Sequence, residues 1–173
     1  MKWVKTVFLF TLIACTHKTP QQKLAEFLDD PGNKIKQRIT VGDVTLTMRW
    51  MPPICREAMN GGAEKDREYD YFDIKFDRAG DDKIAKEKIL YLDFDMQKNF
   101  TMAVGTDSLS AVICQRIPNG RHNSYEYMLA FQRSADDQRD FTVVYRDEIF
   151  GIGSVIFVYK GEDLKKIPTL AAK

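Results

Sequence analysis

The sequence predicts a mainly β fold: an antiparallel β-sandwich, Ig-like or transthyretin-like, with one or two short helices. Three observations carry this expectation. Apolar and polar residues alternate in run after run, the period of a half-buried strand. Turn signals separate the runs: Gly42-Asp43, Gly105-Thr106-Asp107, Pro118-Asn119-Gly120, Asp136-Asp137 and Gly151-Ile152-Gly153. Aromatic residues make up 12% of the chain, mostly Phe and Tyr, types that favour a pleated surface. Strands alternating with long helices are not visible, which argues against a parallel nucleotide-binding sheet.

Before the strands comes a different kind of segment. Lys2 and Lys5 precede an apolar run from Val7 to Ala14 that only Thr11 interrupts. A basic stretch followed by a short apolar run is the layout of an export signal. The run is too short to span a bilayer, which takes about 20 residues. Leu12-Ile13-Ala14-Cys15 fits the lipobox of bacterial lipoprotein precursors, with small Ala14 before the cut and the Cys15 thiol as the nucleophile that takes the lipid. Residues 1–14 are therefore expected to be a signal peptide, 15–33 a lipidated tether with a short helix, and 34–173 a single β-rich domain. The expected partner of Cys15 is the lipid bilayer, entered through its acyl chains. Each buried methylene contributes about 0.8 kcal/mol, so the two or three chains of a lipoprotein hold firmly. Thr16, not Asp, follows Cys15, which by the enteric sorting rule points to the outer membrane.

Within the tether, Leu24, Phe27 and Leu28 share one face of a helix over 21–30, and Pro31-Gly32-Asn33 stops it. Strands are then expected over 38–41 and 44–50, around the turn at Gly42-Asp43, with Val44, Leu46, Met48 and Trp50 on one face. Pro52-Pro53 ends the second, since proline cannot donate to a ladder. Residues 56–68 read as a surface loop or short helix. Phe72, Ile74 and Phe76 mark a further strand. Over 89–104, Leu90, Leu92, Phe94 and Met96 alternate as in a strand, whereas Leu92, Met96 and Phe100 recur every four residues as in a helix. Alternation matches more positions, so a strand is expected there. Strands over 110–117, 125–133, 140–145 and 154–159 follow, and 163–168 reads as a final turn or short helix.

Charge excludes some functions. The chain has 26 basic and 25 acidic residues. Such near-neutrality offers no field to attract nucleic acid. With Cys15 lipidated, Cys55 and Cys114 remain as an even pair in an oxidising compartment. They form either a candidate disulfide, closing a loop of about 60 residues worth roughly 4 kcal/mol, or two separate buried thiols.

No catalytic constellation is visible, so no enzyme is expected. His17 and His122 sit in no metal or nucleophile motif. Gly151-Ile152-Gly153 precedes a β-rich run, not the helix that a phosphate loop needs. Asp70, Asp73 and Asp77, Asp81-Asp82, and Asp93 with Asp95 offer carboxylates to calcium, but without EF-hand spacing. No cofactor is expected beyond the lipid, and calcium is disfavoured. Trp50, Tyr125 and Tyr127 are the candidate ligand surface, set against the simpler role of core packing.

The run Asp140 to Lys160, with Asp163-Leu164 and Ile167-Pro168 after it, resembles the C-terminal part of small uncharacterised lipoproteins of Bacteroidota. That resemblance implies an outer-membrane lipoprotein and carries no activity. The function expected is an accessory or interaction module of a cell-envelope assembly for secretion or transport, with an envelope protein as partner. The alternative is a surface module for a glycan or small ligand.

Overall fold

The computed structural model describes residues 18–53, 68–80, 84–134 and 137–166. Cys15, Cys55, His17 and Asp81-Asp82 lie outside the described residues.

The first element is helix α1 (Pro20–Asp29). Thr19 Oγ1 accepts from the Gln22 N–H at 3.2 Å, and Gln22 Oε1 accepts from the Thr19 N–H at 2.8 Å. This reciprocal box satisfies donors that a helix N-terminus otherwise leaves open. Leu24 is buried, and Phe27 and Leu28 pack against the core, so the expected apolar stripe is the one that docks. A 3-10 turn over Pro31–Asn33 ends the helix.

The strands are β1 (Lys36–Val41), β2 (Val44–Met51), β3 (Tyr69–Arg78), β4 (Phe100–Val104), β5 (Asp107–Ile117), β6 (Ser124–Gln132), β7 (Phe141–Arg146) and β8 (Ser154–Tyr159). They form one antiparallel sheet in the order β1-β2-β3-β6-β5-β4-β7-β8. Val41 pairs with Val44 across a two-residue turn, and Gly42 supplies its positive φ of 57°.

β5 turns the sheet. Its first half pairs with β4, Thr101 to Ser110; its second half pairs with β6, Ile117 to Glu126. A bulge between Ala111 and Ile113 lies where the halves meet, and the extra residue bends the strand. The sheet thereby folds over itself. Phe72 on β3 touches Phe141 on β7 and Tyr159 on β8, with ring centroids 5.9 and 5.6 Å apart. Phe76 meets Tyr145 at 5.0 Å. The mainly β antiparallel class expected from the sequence is what forms. Two layers pack face to face, but one continuous sheet makes both, so the shape approaches a barrel.

Gln37 joins the two free edges. Its Nε2 donates to the Val158 carbonyl at 2.7 Å, and its Oε1 accepts from the Val158 N–H at 3.3 Å. One carboxamide thus stands in for a rung of the ladder between β1 and β8, and it blunts an edge open to further pairing.

The strand expected over 89–104 is corrected. Helix α2 (Lys86–Phe94) and a 3-10 turn (Met96–Asn99) occupy most of it, and only Phe100–Val104 is strand. Leu92, Met96 and Phe100 are buried, while Leu90 and Phe94 are exposed. The physical reason lies in what this segment covers. β4 already has β5 and β7 as neighbours, so no free edge awaits another strand, and the open mouth of the barrel takes one side chain per helical turn. A last short helix, α3 (Gly161–Leu164), follows β8. Gly161 is required there, because a Cβ would lie 1.8 Å from the Gln138 carbonyl oxygen.

The barrel has two ends. At the proximal end the chain reaches β1 through Ile35, whose carbonyl accepts from the Trp50 N–H at 2.9 Å. At the distal end lie the Gly42-Asp43 turn, the loop 147–153 and α2. Lys88 Nζ donates to the Ile149 carbonyl at 2.6 Å, and Asn99 Nδ2 donates to the Arg146 carbonyl at 2.5 Å. No helix among the described residues is long and apolar enough to cross a membrane.

Candidate interaction surface

α2 is apolar on more than one side, and the barrel mouth buries only part of it. Leu92 is fully buried, whereas Ile89 is 39%, Leu90 52% and Phe94 79% exposed. Phe94 is the most exposed large apolar side chain among the described residues. The helix is held firmly in this posture. Tyr127 Oη donates to the Leu92 carbonyl at 3.0 Å, Tyr91 Oη donates to Asn99 Oδ1 at 2.8 Å, and Asp93 pairs with Arg116. The Arg116 guanidinium in turn lies 5.4 Å from the centre of the Tyr125 ring. Burial pushes the Tyr127 hydroxyl well above the ordinary phenol range, so it remains a donor at any physiological pH.

Clefts flank the helix. One, of about 250 Å³, is lined by Asp43, Arg78, Ile84, Lys88, Ile149 and Phe150. The other, of about 550 Å³, runs from Asp93 and Arg116 along the β5–β6 turn to Arg121 and His122. The loop beside the first cleft is stiffened from within. The Asp147 carboxylate accepts from the backbone N–H groups of Ile149, Phe150 and Ile152 and from the Tyr145 hydroxyl, all within 2.9 Å. Burial alone would raise the Asp147 pKa, but these donors outweigh it and hold it below the ordinary carboxylate value. A concave set of N–H groups is an anion nest; here the protein's own carboxylate fills it. Gly151 and Gly153, both with positive φ, turn the chain around that carboxylate, in keeping with the turn role expected of them.

The aromatic ligand surface proposed from the sequence is corrected. Trp50 is 3%, Tyr125 4% and Tyr127 0% exposed. Their alternation places all three on inward faces. Trp50 Nε1 donates to Asp70 Oδ1 at 3.1 Å, and Tyr125 Oη donates to the His122 carbonyl at 2.8 Å. The acidic groups separate as well. Asp73 pairs with Arg49 at 2.8 Å, Asp77 with Lys75 at 2.9 Å, and Asp95 with Lys98. Among the described residues, no group of three or more His, Cys, Asp or Glu side chains is placed to hold a metal ion.

Cys114 is a half-buried free thiol, and its expected partner Cys55 lies outside the described residues. Burial pushes the Cys114 thiol up to about 12. Its thiolate at pH 8 is then roughly a thousandfold scarcer than that of an ordinary thiol. In the reduced native protein, iodoacetamide is expected to label Cys114 far more slowly than in 8 M urea. Equal rates, read by mass spectrometry, would show that water reaches the sulfur.

The exposed stripe on α2 is absent from the sequence expectations because the segment reads there as a strand. The signal for it is the every-fourth recurrence of Leu92, Met96 and Phe100, which leaves Leu90 and Phe94 on another side of a helix.

Fold and surface together define a class: an antiparallel β-domain closed nearly into a barrel, with an apolar helix across its distal mouth. No family model and no curated protein matches the sequence. Among solved structures, a DUF4426 family protein from Pseudomonas aeruginosa PAO1 is similar at 10% identity and a TM-score of 0.43, over 72% of this chain and 91% of that one. A novel protein of unknown function from Burkholderia pseudomallei K96243 is similar at 7% identity and a TM-score of 0.42, over 86% of this chain and 89% of that one. At that level of likeness neither assigns a family or an activity to this chain.

Proposed function

We propose that this chain is a lipid-anchored envelope lipoprotein that works without catalysis, docking a protein of a secretion or transport assembly on its distal end. The observation that carries this reading is positional. The exposed residues of α2 and the clefts beside it gather at the end of the barrel opposite the one where the chain enters β1. From Cys15 the chain has four residues to Thr19, at most about 14 Å, before α1 begins. Acyl chains on Cys15 would hold the domain through α1 and the proximal end of β1, with α2 at the opposite end of the barrel. The partner's complementary surface is apolar, since near-neutral charge gives little long-range steering and exposed apolar patches of this kind mark interaction sites. The outer membrane is the address that Thr16 and the Bacteroidota resemblance favour.

The test is in-cell crosslinking and detergent purification of the tagged chain, with three variants. Cys15→Ser is expected to release the protein from the membrane fraction and lose its partner. Leu90→Glu and Phe94→Glu are expected to stay anchored, to change stability by no more than about 0.5 kcal/mol as exposed positions do, and to lose the partner at least tenfold. A partner retained by both glutamate variants would overturn the docking end. A Cys15→Ser protein that stays in the membrane fraction would overturn the anchor.

A further inference from the structure

The outward face of β1, β2 and β3 carries a hollow of about 360 Å³. The short side chain of Thr47 lies at its middle, at an outward position of β2. Arg38 stands directly opposite Thr47 on β1, and Lys75 directly opposite it on β3. Arg49 follows two residues along β2, and Lys36 stands opposite Arg49. Carboxylates line the side away from β1: Asp73 and Asp77 on β3, and Glu126 on β6 opposite Lys75.

These charges do not cancel in place. Arg49 pairs with Asp73 at 2.8 Å and Lys75 with Asp77 at 2.9 Å. The Lys36 and Arg38 side chains have no ion pair or hydrogen bond among the described residues. Lys36 also faces Arg49 directly, and like charges directly opposite destabilise a sheet. An edge strand often carries a charge to deter pairing. Deterrence needs no second cation placed opposite, however, and Gln37 already occupies Val158 across this edge. Two spare cations beside a threonine suit an oxyanion. Arg38 offers a planar fork to two of its oxygens, Lys36 a point charge and Thr47 a hydroxyl donor.

We propose that this hollow binds a small phosphate ester, its phosphate held by Lys36, Arg38 and Thr47 and the hydroxyl groups of its remaining part directed at Glu126. Size supports an ester over the bare ion, because the hollow falls in the range of small-molecule sites, about 300–1,000 Å³. Arg38 and Glu126 stand about 14 Å apart at the backbone, across three strand spacings, which leaves room for a sugar-sized group beyond the phosphate. The carboxylates set the rest of the class. They repel a second anionic group, which excludes a polyanion, and they accept from hydroxyl groups. The hollow shares no lining residue with the clefts beside α2, and it requires no anchor, so it is independent of the docking proposed above.

The test is isothermal titration calorimetry on the full chain, purified in detergent, with glucose 6-phosphate as probe. It is expected to bind, inorganic phosphate to compete with it, and glucose to give no signal. Lys36 and Arg38 are exposed, so alanine at either is expected to keep Tm unchanged and to weaken binding at least about tenfold. Lys23→Ala removes an equal charge from an exposed position on α1 and is expected to leave binding unchanged. Flotation of the Cys15→Ser chain with vesicles of phosphatidic acid and phosphatidylcholine in equal parts separates the two sources of such a group. Capture that Arg38→Ala abolishes assigns the phosphate to a lipid headgroup; titration without capture assigns it to a soluble ester. No heat from either phosphate together with no capture overturns the site. Equal weakening by Lys23→Ala also overturns it, since net charge alone would then be responsible.

Discussion

Replacing Asp70 with alanine is expected to cost about 3–5 kcal/mol of folding stability, the scale for removing one partner of a buried ion pair. Asp70 is 1% and Arg133 3% exposed at their side chains. The Asp70 carboxylate receives Arg133 Nη1 and, at 3.1 Å, Trp50 Nε1. Arg133 Nη2 donates to the carbonyls of Asp137 and Arg139, and the guanidinium lies 4.5 Å from the centre of the Phe141 ring. Its Nε has no hydrogen bond among the described residues, although the Asp137 carboxylate stands 3.5 Å away. Without Asp70, a cation and an indole N–H are left in a dry site. For a domain of this size the loss corresponds to roughly 6–20 °C in Tm, read by circular dichroism. Asp70→Asn keeps an acceptor for Trp50 and removes only the charge, so its loss is expected to be smaller. The pair Asp70→Leu with Arg133→Met removes both charges and is expected to recover part of the loss, while the Trp50 N–H and the Asp137 and Arg139 carbonyls stay without their partners. A loss below about 1 kcal/mol for Asp70→Ala would mean that water relieves Arg133 in solution.

The second large effect is expected at Asp147. Asparagine keeps the shape but turns one acceptor oxygen into an NH₂ group that faces N–H donors. Oδ1 serves Tyr145, Ile149 and Phe150, and Oδ2 serves Phe150 and Ile152. Hydrogen bonds to a charged group contribute about 1.5–3 kcal/mol each and are not additive, so Asp147→Asn is expected to cost about 2–4 kcal/mol at pH 7. The pH dependence has a definite sign. The folded pKa lies below the ordinary value of 3.8. The stabilisation is therefore fully present above the unfolded pKa, about 3.9, and is lost as pH falls through the folded one. Urea unfolding should show wild type and Asp147→Asn differing less at pH 3 than at pH 7. A gap that is unchanged or wider at pH 3 would rule out this carboxylate as the source. Loop 147–153 lines a cleft beside α2, so under the proposed docking a softened loop should also weaken partner capture.

Much of this molecule is legible in one dimension. The run from Ser154 to Tyr159 is strand β8 as bounded by the sequence, and the Gly42-Asp43 turn sits where the apolar alternation breaks. Parity carries further information: Asp70 shares an inward face with Phe72, Ile74 and Phe76. Arg133 extends the inward parity of Tyr127, Leu129 and Phe131 in the same way. A charge at the inward end of a strand is a legible sign that it has a buried partner. What parity cannot give is the identity of the neighbours, since β3 adjoins β6 across a separation of some fifty residues.

The sequence by itself determined the period-two segments and their turns, because alternation is a local property that any half-buried strand must show. It also determined which side chains share a face on most strands, Tyr125 with Tyr127 among them. Only the tertiary structure decided three things. It made α2 a helix, since local alternation and four-residue spacing compete in that segment and the shape of the barrel mouth chooses between them. It joined β1 to β8 through Gln37, which depends on a bend introduced far away in β5. It set Thr101 beside Val144 on one outward face, because a sheet face is assembled from strands distant in sequence and no single strand reveals what stands beside it.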